Sequence, residues 1–267
     1  LLEKKHGSLI QYHVATGYPG DYRFKLLKPG AEKIRNQLRA NGAKKIIAFF
    51  DENSSSEERW TIGNSTACAE YGYLLEKVIE NPWLGVVFKP KKPHTLLKRL
   101  NDISELMDTA MATGRCHFFM AESSGIPPAV AALASDVAIH GAVWAATAGL
   151  EAALCGIPTL LMDHDNWHYS QLNQLGLNRV IFHDWDTLWK TLTNHWNTKN
   201  GIEGLGSWEP LLNQLDPFRD GKAAERMGTY LHWLIKGYEQ GLKKETVLSD
   251  AAERYCKLWG QDKISTG

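Results

Sequence analysis

An α/β protein built on a doubly wound parallel sheet is what this sequence predicts, and three observations carry the prediction. From Lys44 onward, short apolar runs alternate with segments of helical spacing. Those runs are continuously apolar rather than alternating, as strands covered on both faces must be. Glycine, proline and small polar residues punctuate the joins. Six such strands fit one doubly wound domain.

In order, residues 46–50 read as the first core strand, and residues 70–79 carry helical spacing through Tyr71, Leu74, Leu75 and Val78. Residues 83–88 form the next strand, stopped by Lys89-Pro-Lys-Lys-Pro93. Residues 94–111 read as helix, 116–120 as strand and 127–134 as a short helix. Residues 137–139 and 159–162 are two further strands around a helix at 150–154, whose exit is marked by Gly156 and Pro158. A helix at 169–175 and a strand at 179–182 complete the core. Before it stand one strand at 9–14, the turn Thr16-Gly-Tyr-Pro-Gly-Asp21 and an amphipathic helix at 31–40. After His183 the chain is helical and aromatic, ending in helices at 221–240 and 245–259. The expected organisation is a linker segment over 1–43, the sheet domain over 44–183, and a helical C-terminal extension packed on it over 184–267.

Thirty basic and thirty acidic residues leave no net charge, so nothing marks a nucleic-acid partner. Four widely separated cysteines without a Cys-x-x-Cys pair argue for reduced thiols in a cytoplasmic setting. No run approaches the roughly 18 apolar residues of a membrane span. The opening residues Leu1-Leu-Glu-Lys-Lys-His6 resemble neither a signal peptide nor a start, which leads us to expect a longer protein. Ten tryptophans serve core packing in the plainest reading; Trp185, Trp189, Trp196 and Trp208 are candidates to cover a groove instead.

The most informative stretch runs from Asp136 to Asp163: strand, small-residue turn, helix, strand. Small residues at such a turn let another group approach the backbone, and free N–H groups at a helix start favour an anion. Glu151, one turn into the helix, can accept hydrogen bonds from a ribose diol. The arrangement suits a sugar nucleotide, with phosphate at the turn and ribose on the carboxylate. Small-residue turns before Glu-Ala-Ala-Leu also occur as plain helix packing.

Glu151-Ala-Ala-Leu-Cys-Gly-Ile-Pro-Thr-Leu160 resembles the E-A-L-x-x-G-I/V-P signature in the C-terminal, Rossmann-like domain of GT-B glycosyltransferases, and Ser135 to His140 resembles the strand leading into it. The resemblance implies that Glu151 binds donor ribose and that the preceding turn faces the phosphates. Asp216-Pro-Phe-Arg-Asp-Gly-Lys-Ala-Ala-Glu-Arg-Met-Gly228 is similar to a motif near the end of bacterial surface-carbohydrate biosynthesis proteins. Gly17-Tyr-Pro-Gly-Asp21 and Phe49-Phe-Asp-Glu-Asn53 resemble other parts of that group. Together these imply an enzyme of capsule or lipopolysaccharide assembly, at the inner face of a bacterial membrane.

Ligands of a parallel sheet bind beyond its carboxyl edge. Along that edge the sequence sets Asp51-Glu-Asn53, Lys89 to His94, Glu122-Ser-Ser-Gly125, His140-Gly141, Asp163-His-Asp165 and His183-Asp184. Lys89 is either a point charge for a diphosphate or a solvated loop lysine. His94 follows Pro93 in the reverse of the His-Pro order of sialyl- and Kdo-transferase-like enzymes, and a helix-start role is the alternative. Asp51, Glu52 and Asn53 either cap the following segment or hold the donor sugar or position the acceptor, and Asp163 is a further sugar-binding candidate. His140 can donate to a phosphate oxygen. The donor set is therefore Glu151, Thr147, Ala146, Gly149, Lys89, His140 and Gly141.

Adjacent residues 163–165 point to opposite sides of an extended chain, so no metal is expected, and GT-B enzymes generally work without one. The absence of Gly-x-Gly-x-x-Gly after the first strand counts against a nicotinamide or flavin cofactor. The partners implied are a nucleotide-sugar donor, a glycan or glycolipid acceptor and an N-terminal domain that carries the catalytic base. Three functions stay open: a glycosyltransferase or its donor-binding half, a nucleotide-sugar 2-epimerase of the same architecture, and a non-catalytic module exposing an aromatic patch over 185–208.

Overall fold

The computed structural model describes residues 10–56, 62–120 and 125–266. Leu9, Glu122, Ser123 and Ser124, expected at a strand and at the sheet edge, lie outside them. Two compact units are present: one takes the chain up to Arg23 together with Leu212 onward, the other runs from Phe24 to Leu211.

The larger unit holds the sheet. Its strands β2 (Lys45–Phe50), β3 (Leu84–Lys89), β4 (Cys116–Phe118), β5 (Val137–His140), β6 (Thr159–Met162) and β7 (Ile181–Phe182) are all parallel, in the order β4-β3-β2-β5-β6-β7. Alternation along each strand divides its side chains between two cores. Ile47 and Phe49 join Val86, Phe88, Ile139 and Met162 on one face, while Ile46, Ala48 and Phe50 join Val87 and Ala138 on the other. Helix α1 (Tyr22–Ala40), which carries the chain into this unit, covers the second face through Ala31 and Leu38. Helix α2 (Asn64–Glu80) covers the first face through Ala67, Tyr71, Leu74, Leu75 and Val78. Each buried aliphatic or aromatic side chain in these layers contributes about 1.5–3 kcal/mol.

The stretch after β3 is broken into α3 (Leu96–Arg99) and α4 (Ser104–Ala112), with 3₁₀ turns at Pro93–Thr95 and Asn101–Ile103. The single helix expected over 94–111 is interrupted at Asn101 and Asp102, residue types of low preference for a helix interior. Helices α5 (Pro128–Leu133) and α6 (Thr147–Leu154) lie on the second face, and α7 (Trp185–Asn197) presents Leu188 and Leu192 to the first. Helix α6 starts three residues before the expected 150, so Glu151 is its fifth residue. Helix α1 begins well before the expected 31 and runs through Pro29. The carbonyl that loses its helical donor to Pro29 is that of Lys25, an exposed residue, so it faces water. The expected helix over 169–175 is a 3₁₀ turn, Gln171–Leu175, closed by Gly176 at φ 94°.

The smaller unit pairs β1 (Tyr12–Val14) antiparallel with β8 (Ile264–Thr266), a strand too short to read from periodicity. Helix α8 (Glu209–Leu215) leads into it, followed by α9 (Ala223–Glu239) and α10 (Lys244–Trp259). The motifs around Gly17 and Asp216 meet here. Asp216 is fully buried and accepts the N–H groups of Phe218 and Arg219 at 3.1 and 3.0 Å. A side chain at Gly17, whose φ is 95°, would put its Cβ 2.8 Å from the Asp216 carboxylate. Asp21 accepts the Gly221 N–H at 2.9 Å, and Arg226 stacks 3.5 Å from the Phe218 ring while donating to the Thr16 carbonyl. These motifs close the unit by joining opposite ends of the chain. The segments expected from sequence meet at 43/44 and 183/184, whereas the compact units are joined within α1 and α8. No helix among the described residues is long and apolar enough to cross a membrane.

Candidate functional site

The strand order reverses between β2 and β5, since the chain leaves β2 for β3 on one side and returns to place β5 on the other. A crevice outside the carboxyl ends is the binding place such a topology creates. Five of the six strands bring charged or imidazole groups to that edge: Asp51 and Glu52 after β2, Lys89 ending β3, His140 ending β5, Asp163 after β6, and His183 and Asp184 after β7.

Asp51 and Glu52 are turned inward. Arg99 of α3 pairs with Asp51 at 2.8 Å and donates to Ser54 Oγ at 3.1 Å, and the Lys91 amide also donates to Asp51. Burial raises the Asp51 carboxyl pKa, against the pull of Arg99 and the Lys91 N–H. Glu52 takes the Lys91 ammonium at 2.5 Å, and its other oxygen lies 4.0 Å from His140 Nε2. Both carboxylates are at most 5% exposed, and only the half-buried Asn53 of this trio reaches solvent.

His140 is also interior. Its Nδ1 accepts the Ala142 N–H at 3.1 Å, and burial drops its pKa to about 4, so the ring is neutral at pH 7. Gly141 sits against a carboxylate that periodicity alone does not flag as functional. A Cβ on Gly141 would lie 2.9 and 3.0 Å from the two oxygens of Glu70, which α2 points into the sheet edge. Glu70 is 2% exposed and 3.1 Å from His164 Nε2. Burial raises the Glu70 pKa, and the hydrogen bond to Glu70 raises that of His164. Sequence carries one signal for Glu70: it stands four residues before Leu74, on the apolar stripe of its helix.

Helix α6 opens without a side-chain cap, so the N–H groups of Thr147, Ala148 and Gly149 have no intrahelical acceptor. Ala146 flanks the start and Thr147 is exposed. Gly149 is buried, and its absent Cβ would lie 3.3 Å from Leu161 and 3.5 Å from both His140 and Thr159, so glycine lets α6 settle onto β5 and β6. Glu151 follows one turn on, half-buried. Lys89 lies over the Phe119 ring, 5.5 Å from its centroid. Burial lowers the Lys89 pKa, while the charges of Asp51 and Glu151 work to raise it. Lys89 and Glu151 therefore stand within each other's field. Of the expected donor set, these are the two side chains whose charges interact; His140 and Gly141 are buried.

Beyond β6, a cavity of about 60 Å³ is lined by Gly141, Ala142, Trp144, Asp163 and His164, and a wider one of about 330 Å³ opens toward β7. The Asp163 carboxylate accepts the Trp167 N–H at 2.9 and 3.0 Å while His164 turns to Glu70, so these neighbours diverge. His94 is exposed within the 3₁₀ turn before α3. The tryptophans of 185–208 form no exposed patch. Trp185 packs on Phe49 and Tyr73, Trp189 and Trp196 pack on Trp83, and Trp208 is buried with Nε1 donating to the Thr159 carbonyl at 3.0 Å.

No family model and no curated protein sequence matches this chain. Among solved structures, it is similar to Anabaena Alr3699/HepE in complex with UDP and glucose, with 12% identity, 76% of this chain and 52% of that one covered, and a TM-score of 0.46. It is also similar to the wall teichoic acid polymerase TagF, with 14% identity, 90% and 52% covered, and a TM-score of 0.48. The chain spans about half the length of each. Its own strand order defines the fold as a doubly wound α/β sheet.

Proposed function

We propose that this chain is the donor-binding half of a GT-B glycosyltransferase. The nucleotide sugar's diphosphate lies on the first-turn amides of α6 and on Lys89, and its ribose hydroxyls bond to Glu151. The observation that supports this reading is the electrostatic proximity of Lys89 and Glu151, with Glu151 the fifth residue of a helix that starts uncapped after β5, beside the strand-order reversal. The Glu151-to-Pro158 signature supports it independently.

The chemistry follows from charge. Breaking the bond from sugar to phosphate loads negative charge onto the leaving diphosphate. A helix N-terminus offers about 0.3–2 kcal/mol toward a nearby anion, and a lysine shielded from water offers more as its surroundings become less polar. Such stabilisation is larger in the transition state than in the bound donor, which is what lowers a barrier. In this reading Glu151 and Lys89 are engaged by the nucleotide, so neither is left to deprotonate an acceptor. The acceptor, a glycan or glycolipid of a bacterial surface polymer, and the catalytic base belong in this reading to an N-terminal domain. Cytoplasmic placement at the membrane's inner face is part of the same proposal.

The test is a thermal-shift screen of this chain with CDP, GDP and UDP and with the monophosphates CMP, GMP and UMP. A ligand at 100 times its dissociation constant adds about 2.7 kcal/mol of stability. At least one nucleoside diphosphate should raise the melting temperature more than its monophosphate does. No response to any of them would overturn the reading.

A further inference from the structure

The end of β2 grips the segment that follows β3. Asp51 accepts the Lys91 N–H, and Glu52 takes the Lys91 ammonium at 2.5 Å, so two adjacent carboxylates hold one residue by its backbone and by its side chain. Farther along the same segment Arg99 returns to this place, pairing with Asp51 at 2.8 Å and donating to Ser54 Oγ at 3.1 Å. Asp51, Glu52, Ser54 and Arg99 are all buried. Buried carboxylates on adjacent residues repel each other and lose hydration, a cost that only close partners offset. A local cap would find those partners within a turn. Asp51 finds them 40 and 48 residues away, and both lie on the segment after β3.

Lys89 stands inside this grip. On its N-terminal side β3 is held in register with β2, with Lys89 itself opposite Phe50, the residue before Asp51. On its C-terminal side Pro90 confines Lys89 to extended backbone, and the next residue is the clamped Lys91. The chain on both sides of Lys89 is therefore fixed to the end of one strand, and its ammonium is left over the Phe119 ring. Because Lys91 and Arg99 satisfy the two carboxylates, neither needs to draw Lys89 into an ion pair. A lysine has a flexible four-carbon stem, and ordering it costs entropy when an anion binds. Fixing the backbone beneath that stem lowers the cost in advance.

We propose that Glu52 is a positioning residue: with Asp51 on the amide, it holds Lys91 so that Lys89 is set in place for a diphosphate. The inference rests on the assignment of Lys89 to the phosphates and adds the device that holds it there. One substitution separates the clamp from a plain field effect by sign. Glu52→Gln removes a negative charge from this edge, so charge alone would tighten an anion, whereas a slackened clamp weakens it.

Calorimetric titration follows the nucleoside diphosphate that most stabilises the chain, and its parent nucleoside. The variants are Glu52→Gln and the double substitution Glu52→Met with Lys91→Met, which exchanges the ion pair for an apolar pair and leaves no charge unpartnered. Each is also made in a Lys89→Ala background. Glu52→Gln should weaken the diphosphate by about threefold and the double variant by about fivefold, with the nucleoside unchanged. Neither should weaken the diphosphate further once Lys89 is alanine. The positioning role is overturned if Glu52→Gln binds the diphosphate as tightly as the unsubstituted chain or more tightly, if the nucleoside weakens equally, or if the losses persist without Lys89. If instead the unsubstituted chain binds no nucleotide, or Lys89→Ala loses nothing, the phosphate assignment of Lys89 fails and this inference fails with it.

Discussion

Replacing His140 by asparagine tests how deeply the sheet edge is buried. The asparagine Oδ1 takes roughly the place of Nδ1 and can still accept the Ala142 N–H, while the titrating ring is lost. In the folded chain His140 has a pKa of about 4, held down chiefly by burial and further by the charge of Lys91. The groups facing it are Glu52 at 4.0 Å from Nε2 and the Ala142 amide at Nδ1. The unfolded chain returns it to about 6.5. Between these values the unfolded state binds a proton that the folded state refuses, so stability rises with pH across the window and is lost as pH falls. At pH 5 the loss from this one group is about 2 kcal/mol relative to pH 7.5. Urea unfolding of both proteins at pH 7.5 and 5 gives the double difference, in which contributions from Glu70, His164 and other shared groups largely cancel. His140→Asn should start less stable by about 1–2 kcal/mol from lost packing, then lose about 2 kcal/mol less than the unsubstituted chain on acidification. A gap that stays constant with pH would refute the buried, neutral assignment.

Gly141→Ala should destabilise by about 1–3 kcal/mol, because the new methyl meets the buried Glu70 carboxylate at 2.9 and 3.0 Å; an unchanged urea midpoint would remove Glu70 from this place. Glu70→Gln should lower the His164 pKa, read from the imidazole C–H resonances, since the bond to Glu70 is what raises it; an unmoved titration would break that pairing. Lys89→Ala should weaken a nucleoside diphosphate more than the corresponding nucleoside in calorimetric titration, and equal losses would separate Lys89 from the phosphates.

The strands were legible because a sheet covered on both faces needs continuous apolar runs, and residues 46–50 and 159–162 supply them. Helix limits were less so: Pro29 within α1 and the early start of α6 depend on solvent exposure and on sheet packing at Gly149, neither of which periodicity reports. The β1–β8 pairing and the meeting of Gly17 with Asp216 join distant parts of the chain, so each motif could be noticed while its structural role stayed hidden. At the candidate site, the positions of Lys89 at a strand end and of Glu151 near a helix start were legible in the sequence. Asp51 and Glu52 looked equally available, yet their partners Arg99 and Lys91 lie tens of residues away and turn them inward. Glu70 had one sequence signal, its place on the apolar stripe of its helix, but its partner His164 lies 94 residues away in sequence.

The central claim is that Glu151 holds a nucleotide's ribose, and calorimetric titration of Glu151→Gln with the nucleotide that most stabilises the chain tests it most directly. A charge-assisted hydrogen bond is worth about 1.5–3 kcal/mol, so losing the charge should weaken binding by about tenfold or more. The free Glu151→Gln protein should still unfold in one cooperative transition, because glutamine is nearly as good a helix former as glutamate. A lower melting temperature with unchanged affinity would show Glu151 to be a packing residue of α6 and would contradict the account.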